Sequence, residues 1–130
     1  MKSNATISEV MTKEPHTVGA EQTVSFAKSL MSSHGIRHLP VLHGGQVYGI
    51  VSDRDLMLVE AVEGPKASTI PLKEVCLGEV FTAQPNTPLK DVAAAMAKDG
   101  LGSTVVTDDR GKVVGILTTV DICRVLSTML

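Results

Sequence analysis

A chain of 130 residues with a formal charge of −2 suits one compact module, which would bury roughly two-thirds of the surface its unfolded chain exposes. Twelve basic and fourteen acidic residues, with no run of either sign, disfavour a broad basic face for nucleic acid. No apolar stretch approaches the ~18 residues of a membrane span, and the opening Met-Lys-Ser-Asn-Ala-Thr has no apolar signal core.

Aromatic residues make up 2% of the chain, so the core must be built from Val, Ile, Leu, Met and Ala. Val24, Ala27, Leu30 and Met31 fall at helical spacing and predict a helix over Val24 to Ser33. Gly35 stops it, as a glycine past a helix end commonly does. His38 to Leu42 and Gln46 to Val51 are short β runs joined at Gly44-Gly45, which predicts a hairpin. A second helix starts near Asp53 and runs through Leu56, Leu58 and Val59 to Gly64-Pro65. Residues 64 to 71 (Gly-Pro-Lys-Ala-Ser-Thr-Ile-Pro) read as a linker. The same order then returns: a helix over Leu89 to Lys98, Gly100, strands at Ser103 to Thr107 and Lys112 to Leu117, and a helix from near Thr119.

That return is a duplication. Gly49-Ile50-Val51-Ser52-Asp53-Arg54-Asp55-Leu56 recurs as Gly115-Ile116-Leu117-Thr118-Thr119-Val120-Asp121-Ile122. Val10 matches Val75, Thr17 matches Thr82, Met31 matches Met96 and Gly35 matches Gly100, all 65 residues apart. Past the hairpin turn the offset becomes 66, and one extra turn residue is the easiest insertion to accept. Residues 7 to 63 thus pair with 72 to 128. The chain divides into a first repeat (1–63), a linker (64–71) and a second repeat (72–130), together one module. Two long repeats are too few for a solenoid.

Each repeat carries a hydroxyl and an acid at its strand-to-helix junction: Ser52 with Asp55, and Thr118 with Asp121. One reading is a capping box, in which hydroxyl and acid satisfy free N–H groups at the helix start. A ligand role competes with it. The acid is Asp rather than the longer Glu or Gln usual for reaching back to the cap. A helix N-terminus with a hydroxyl is also a ready anion site, and a fixed carboxylate beside it suits a sugar diol. The two roles are compatible.

Taken with Val10-Met11-Thr12 and Gly35-Ile36-Arg37-His38-Leu39-Pro40-Val41, the two Gly-x-x-Ser/Thr-x-x-Asp segments make nearly the whole chain resemble a tandem cystathionine-β-synthase (CBS) domain pair. The resemblance implies an α/β (α+β) fold of two β-α-β-β-α repeats, packed through their sheets with pseudo-two-fold symmetry. It further implies two clefts between the repeats that bind adenine nucleotides such as AMP, ADP or ATP, and a homodimer. The expected role is that of a regulatory energy or metabolite sensor, requiring no cofactor. With no effector domain on the chain, its output would pass in trans to a partner enzyme or transporter, or the chain is a stand-alone sensor.

Carried over residue by residue, the resemblance makes Asp55 the ribose acceptor of the first cleft, Ser52 a ribose or phosphate contact and Arg37 a phosphate cation. Arg54 adds charge or stays solvated on its helix. The adenine wall would come from the other repeat, around Cys76, Glu79 to Phe81 and Leu101. The second cleft keeps Thr118 and Asp121, but Gly102 stands for Arg37 and Val120 for Arg54. Its wall would be Met11, Pro15-His16 and Ile36. The first cleft is therefore expected to hold phosphate more tightly.

Other residues invite blander readings. His34 and His38 stand four apart, but Gly35 and Pro40 break any helix through both, so no metal site is expected. His38 caps a turn or lines the first cleft, His43 is solvated in the hairpin turn, and His16 either faces adenine or ends a strand. Met31, Met57 and Met96 are expected in the core. Cys76 and Cys123 lack CxxC spacing and read as reduced, buried thiols of a cytoplasmic protein, with a disulfide between them left open. No nucleophile elbow, Ser-His-Asp set or Walker-type loop is present, so the chain is not expected to be an enzyme. The competing function classes are a nucleotide-free dimerisation module and a sensor of an adenosyl ligand such as S-adenosylmethionine.

Overall fold

Apolar periodicity, capping hydroxyls and glycine stops set the element order in the computed structural model, which describes residues 4–76 and 80–130. The elements are β1 (Thr12–Lys13), β2 (Val18–Gly19), α1 (Val24–His34), β3 (His38–His43), β4 (Gln46–Ser52), α2 (Asp53–Glu63), β5 (Thr82–Ala83), α3 (Leu89–Asp99), β6 (Ser103–Thr107), β7 (Val113–Thr118) and α4 (Thr119–Met129). They fall into two compact units, one of His16–Val80 and one of Met1–Pro15 with Phe81–Leu130.

In the His16–Val80 unit, β2 runs parallel to β3 and β3 antiparallel to β4, giving a three-stranded sheet in the order β2-β3-β4. Thr23 caps α1 by accepting from the Phe26 N–H at 3.2 Å, and Gly35 ends it at φ 62°, a left-handed conformation that glycine adopts without a side-chain penalty. Val24, Ala27 and Met31 on α1 are buried against Leu39, Val41 and Val51 of the sheet and Leu56 of α2. Burying each large aliphatic side chain contributes about 1.5–3 kcal/mol, so this apolar face, not helix propensity, holds α1 in place. The exposed Lys28–Glu60 pair between α1 and α2, at 2.7 Å, adds at most about 1 kcal/mol.

The stretch expected as the linker, residues 64 to 71, has regular local structure. Gly64–Thr69 forms a 3-10 helix with Pro65 in its first turn and Ala67 buried. The chain then bonds onto the start of α1, with the Val24 N–H donating to the Ile70 carbonyl at 3.0 Å and the Leu72 N–H to the Gln22 carbonyl at 2.7 Å.

In the other unit, β5 runs parallel to β6, and β7 lies antiparallel to β6 and β1, in the order β1-β7-β6-β5. The N-terminal segment belongs here. The Ile7 N–H donates to the Thr87 carbonyl (2.9 Å) and the Leu89 N–H to the Ala5 carbonyl (2.8 Å). Ile7, Val92, Met96, Val106 and Leu117 form its core. The structural units thus cut across the sequence repeats, because residues 4–15 count with the first repeat in sequence but bond to the second.

Two burial expectations are corrected. Met31 and Met96 are buried, but Met57 is 64% exposed. It follows Leu56, the one fully buried residue of α2, and each step turns about 100° around a helix. Cys123 is likewise exposed, two residues past buried Asp121 on α4, whereas Cys76 is half-buried, and both thiols are free. No helix among the described residues is long and apolar enough to cross a membrane.

Candidate ligand site

The two strand-to-helix junctions have the same backbone plan and different side-chain chemistry. At the first, Ser52 ends β4 in extended conformation and α2 begins at Asp53. The Asp55 N–H donates to Ser52 Oγ at 3.1 Å, and the Ser52 N–H donates to Asp55 Oδ2 at 2.8 Å. Aspartate therefore does reach back to the cap, which corrects the expectation that its shorter chain argues against a capping box. The Ser52 N–H lies close enough that no extra methylene is needed. Among the described residues, Asp55 Oδ1 has no hydrogen-bond partner. The side chain is half-buried, so this oxygen remains an available acceptor.

Around it stand His38, Cys76 and two arginines. His38 opens β3 and its imidazole pKa lies below the usual value, chiefly because burial disfavours the cation. The Asp53 and Asp55 carboxylates oppose that shift and the Arg37 guanidinium adds to it, so His38 feels both signs of charge at this junction. Cys76 packs on the strand leading into the junction: a Cβ placed on Gly49 would lie 3.0 Å from Cys76 Cβ. Burial, with a further push from the Asp55 charge, raises the Cys76 thiol to about 11, which leaves it protonated and unreactive. Arg37 and Arg54 are exposed and form no ion pair with any described residue. Arg37 and Ile36 line a cavity of about 380 Å³ with Lys28, Asp53, Leu56 and Met57, between α1 and α2.

At the second junction the acid is consumed. Asp121 is 3% exposed. Its Oδ2 accepts from the Thr118 N–H at 2.9 Å and the Thr118 hydroxyl at 3.2 Å. Its Oδ1 accepts from the Thr12 hydroxyl at 3.3 Å and Arg124 Nη1 at 3.0 Å. Met11 takes the place that Cys76 holds in the other unit, and a Cβ on Gly115 would collide with its Sδ.

The remaining sequence candidates divide between the units. Phe81 and Leu101 pack against the core of the unit holding Thr118 and Asp121, together with Met11. Ile36 and His16 belong with Ser52 and Asp55. His16 stacks on His34 at a ring separation of 3.8 Å, and His43 is exposed, edge-on to Tyr48. Glu79 lies outside the described residues. No group of three metal-ligating side chains occurs among the described residues. Thr12 and Arg124 were missed in the sequence, since Thr12 stands 109 residues from Asp121.

Two β-α-β-β-α repeats, each ending a strand in a capped hydroxyl–aspartate junction, define a paired-repeat class of module. The chain belongs to the CBS domain family, whose model matches residues 7–61 and 72–128. It is 31% identical to the CBS domain-containing protein YhcV of Bacillus subtilis over 113 residues, 87% of this chain and 79% of that protein. It is 31% identical over 126 residues to the L-aspartate semialdehyde sulfurtransferase of Methanocaldococcus jannaschii, spanning 95% of this chain but 24% of that enzyme. The crystal structure of the CBS domain pair of protein MJ0100, in complex with 5′-methylthioadenosine and S-adenosyl-L-methionine, superposes with a TM-score of 0.88 at 27% identity, covering 97% of this chain and 98% of that one. CBS pairs are ligand-sensing regulatory modules.

Proposed function

We propose that this chain senses an adenosine-containing ligand at the Ser52–Asp55 junction and transmits its occupancy to a partner protein. One observation carries the reading: Asp55 spends one carboxylate oxygen on the helix cap, and among the described residues nothing takes the other. That oxygen suits a ribose hydroxyl, and the exposed Arg37 and Arg54 suit a phosphate. AMP, ADP or ATP is accordingly the ligand class. The ligand pair bound by MJ0100 favours a second reading, in which the ligand is an adenosyl compound such as S-adenosylmethionine and Arg37 matters less.

The chain acts by binding rather than by catalysis, in the cytoplasm, where its two free thiols stay reduced. Met57, Leu58 and Val62 leave an apolar strip exposed on α2, which favours a homodimer or a docked partner. A ligand shifts such an assembly only through unequal affinity for its two arrangements.

Thermal unfolding with AMP, ADP, ATP and S-adenosylmethionine, each alone, tests the reading. A ligand at 100 times its dissociation constant adds about 2.7 kcal/mol to the native state. The wild type should show that shift for at least one of them, and Asp55→Ala should lose it. A shift of equal size in Asp55→Ala removes Asp55 from the site. No shift for any ligand in the wild type replaces the sensor with a nucleotide-free interaction module.

A further inference from the structure

We infer that Arg124 and Thr12 close the second junction from within, so that each chain offers one adenosine site, at Asp55, rather than two. The inference rests on the proposed adenosine reading of the Asp55 junction. Its physical basis is the state of the second carboxylate. A ribose diol donates hydrogen bonds to a carboxylate, so it needs oxygens that are free or cheaply freed. Both oxygens of Asp121 already accept two donors each. The Arg124 bond is charge-assisted; the Asp121 side chain is 4% exposed while that of Arg124 is 67% exposed, so the carboxylate is shut off from water although the guanidinium still meets it. A ribose hydroxyl would have to displace the charged Arg124 donor from Oδ1 and would return only a neutral one, whereas displacing the Thr12 hydroxyl exchanges one neutral donor for another.

The same two positions explain why the first junction stays open. In the repeat alignment Arg124 corresponds to Leu58, which carries no charge and is 59% exposed. Thr12 is delivered by β1, which pairs antiparallel with β7 and sets Thr12 opposite Ile116. By the same repeat alignment Thr12 corresponds to Leu77, which has no hydroxyl to offer a carboxylate. Met11, one residue before Thr12, fills the space over Gly115 where the smaller Cys76 lies over Gly49. Arg124 and Thr12 are thus specificity residues: they do not bind the ligand but deny it the second carboxylate.

Isothermal titration of the full chain with AMP, ATP and S-adenosylmethionine, each alone, tests the closure. Arg124→Leu restores the residue found at the equivalent place in the first repeat. It should bind one more ligand per chain than the wild type, and adding Asp121→Asn should abolish that extra event. Arg124→Ser serves if Arg124→Leu lacks a cooperative thermal transition. An Arg124 variant that folds and binds no more ligand than the wild type overturns the inference, as does a wild type that binds two ligands per chain. A wild type that binds none overturns the Asp55 reading instead, and the closure then stands or falls on whether the Arg124 variant gains a site.

Discussion

Ser52–Asp55 and Thr118–Asp121 are two copies of one device that have gone to different ends. In both, a hydroxyl and an aspartate cap a helix reciprocally. In the first copy the cations, Arg37 and Arg54, lie exposed and unpaired among the described residues while the carboxylate keeps an open oxygen. In the second copy those cations are Gly102 and Val120, and the cation that is present, Arg124, is spent on the carboxylate. Capping needs one carboxylate oxygen. What happens to the other decides whether the junction is a structural fastener or a binding site.

The sharpest way to break that comparison is through stability. Asp121→Ala strips a buried carboxylate from Thr12, Thr118 and Arg124, and should lower the unfolding free energy by about 3 kcal/mol. Asp55→Ala loses one half-buried capping bond and should cost about 1 kcal/mol. Urea denaturation of both variants measures the difference, and equal losses would make the junctions equivalent.

A smaller contrast lies in the sheets. Thr104 is fully buried, and its hydroxyl has no partner among the described residues, where the first repeat has Leu39. Thr104→Val removes an unsatisfied polar group at constant shape and should stabilise the chain by about 1 kcal/mol, read from the same denaturation curves. Unchanged stability would mean that the hydroxyl is satisfied in solution.

The smallest effect is one of pH. His38 has a lowered pKa in the folded chain, so as pH falls below 6.5 the unfolded chain takes up the proton first and stability drops. Well above 6.5 both states hold neutral imidazole and this residue adds no slope. The second repeat has Ser103 at this place. His38→Gln should flatten the acid-side fall in melting temperature between pH 7.5 and pH 5, and an unchanged profile would show that His38 is not the group responsible.

Much of this architecture was legible because its signals are local. Val24, Ala27 and Met31 announce α1, Gly35 and Gly100 mark two helix ends, and the doubled Gly-x-x-Ser/Thr-x-x-Asp segment announces both junctions. The 3-10 turn within the linker was not legible because the bonds that anchor the segment run to Gln22 and Val24, far away in sequence. Met57 reads as core by composition, but only the packing of Leu56 fixes which side of α2 faces inward. The closure of the second junction was hidden twice over. An Asp–Arg pair three apart on a helix looks like an ordinary surface ion pair until the burial of Asp121 is known. The Thr12 hydroxyl arrives only through the β1–β7 pairing.

Crystals of the full chain grown with saturating AMP, and separately with S-adenosylmethionine, test the asymmetry most directly. The account predicts ligand at the first junction, its ribose on Oδ1 of Asp55, with Arg124 still bound to Asp121 at the second. Ligand seated on Asp121, whether or not the Asp55 junction is filled, would contradict it.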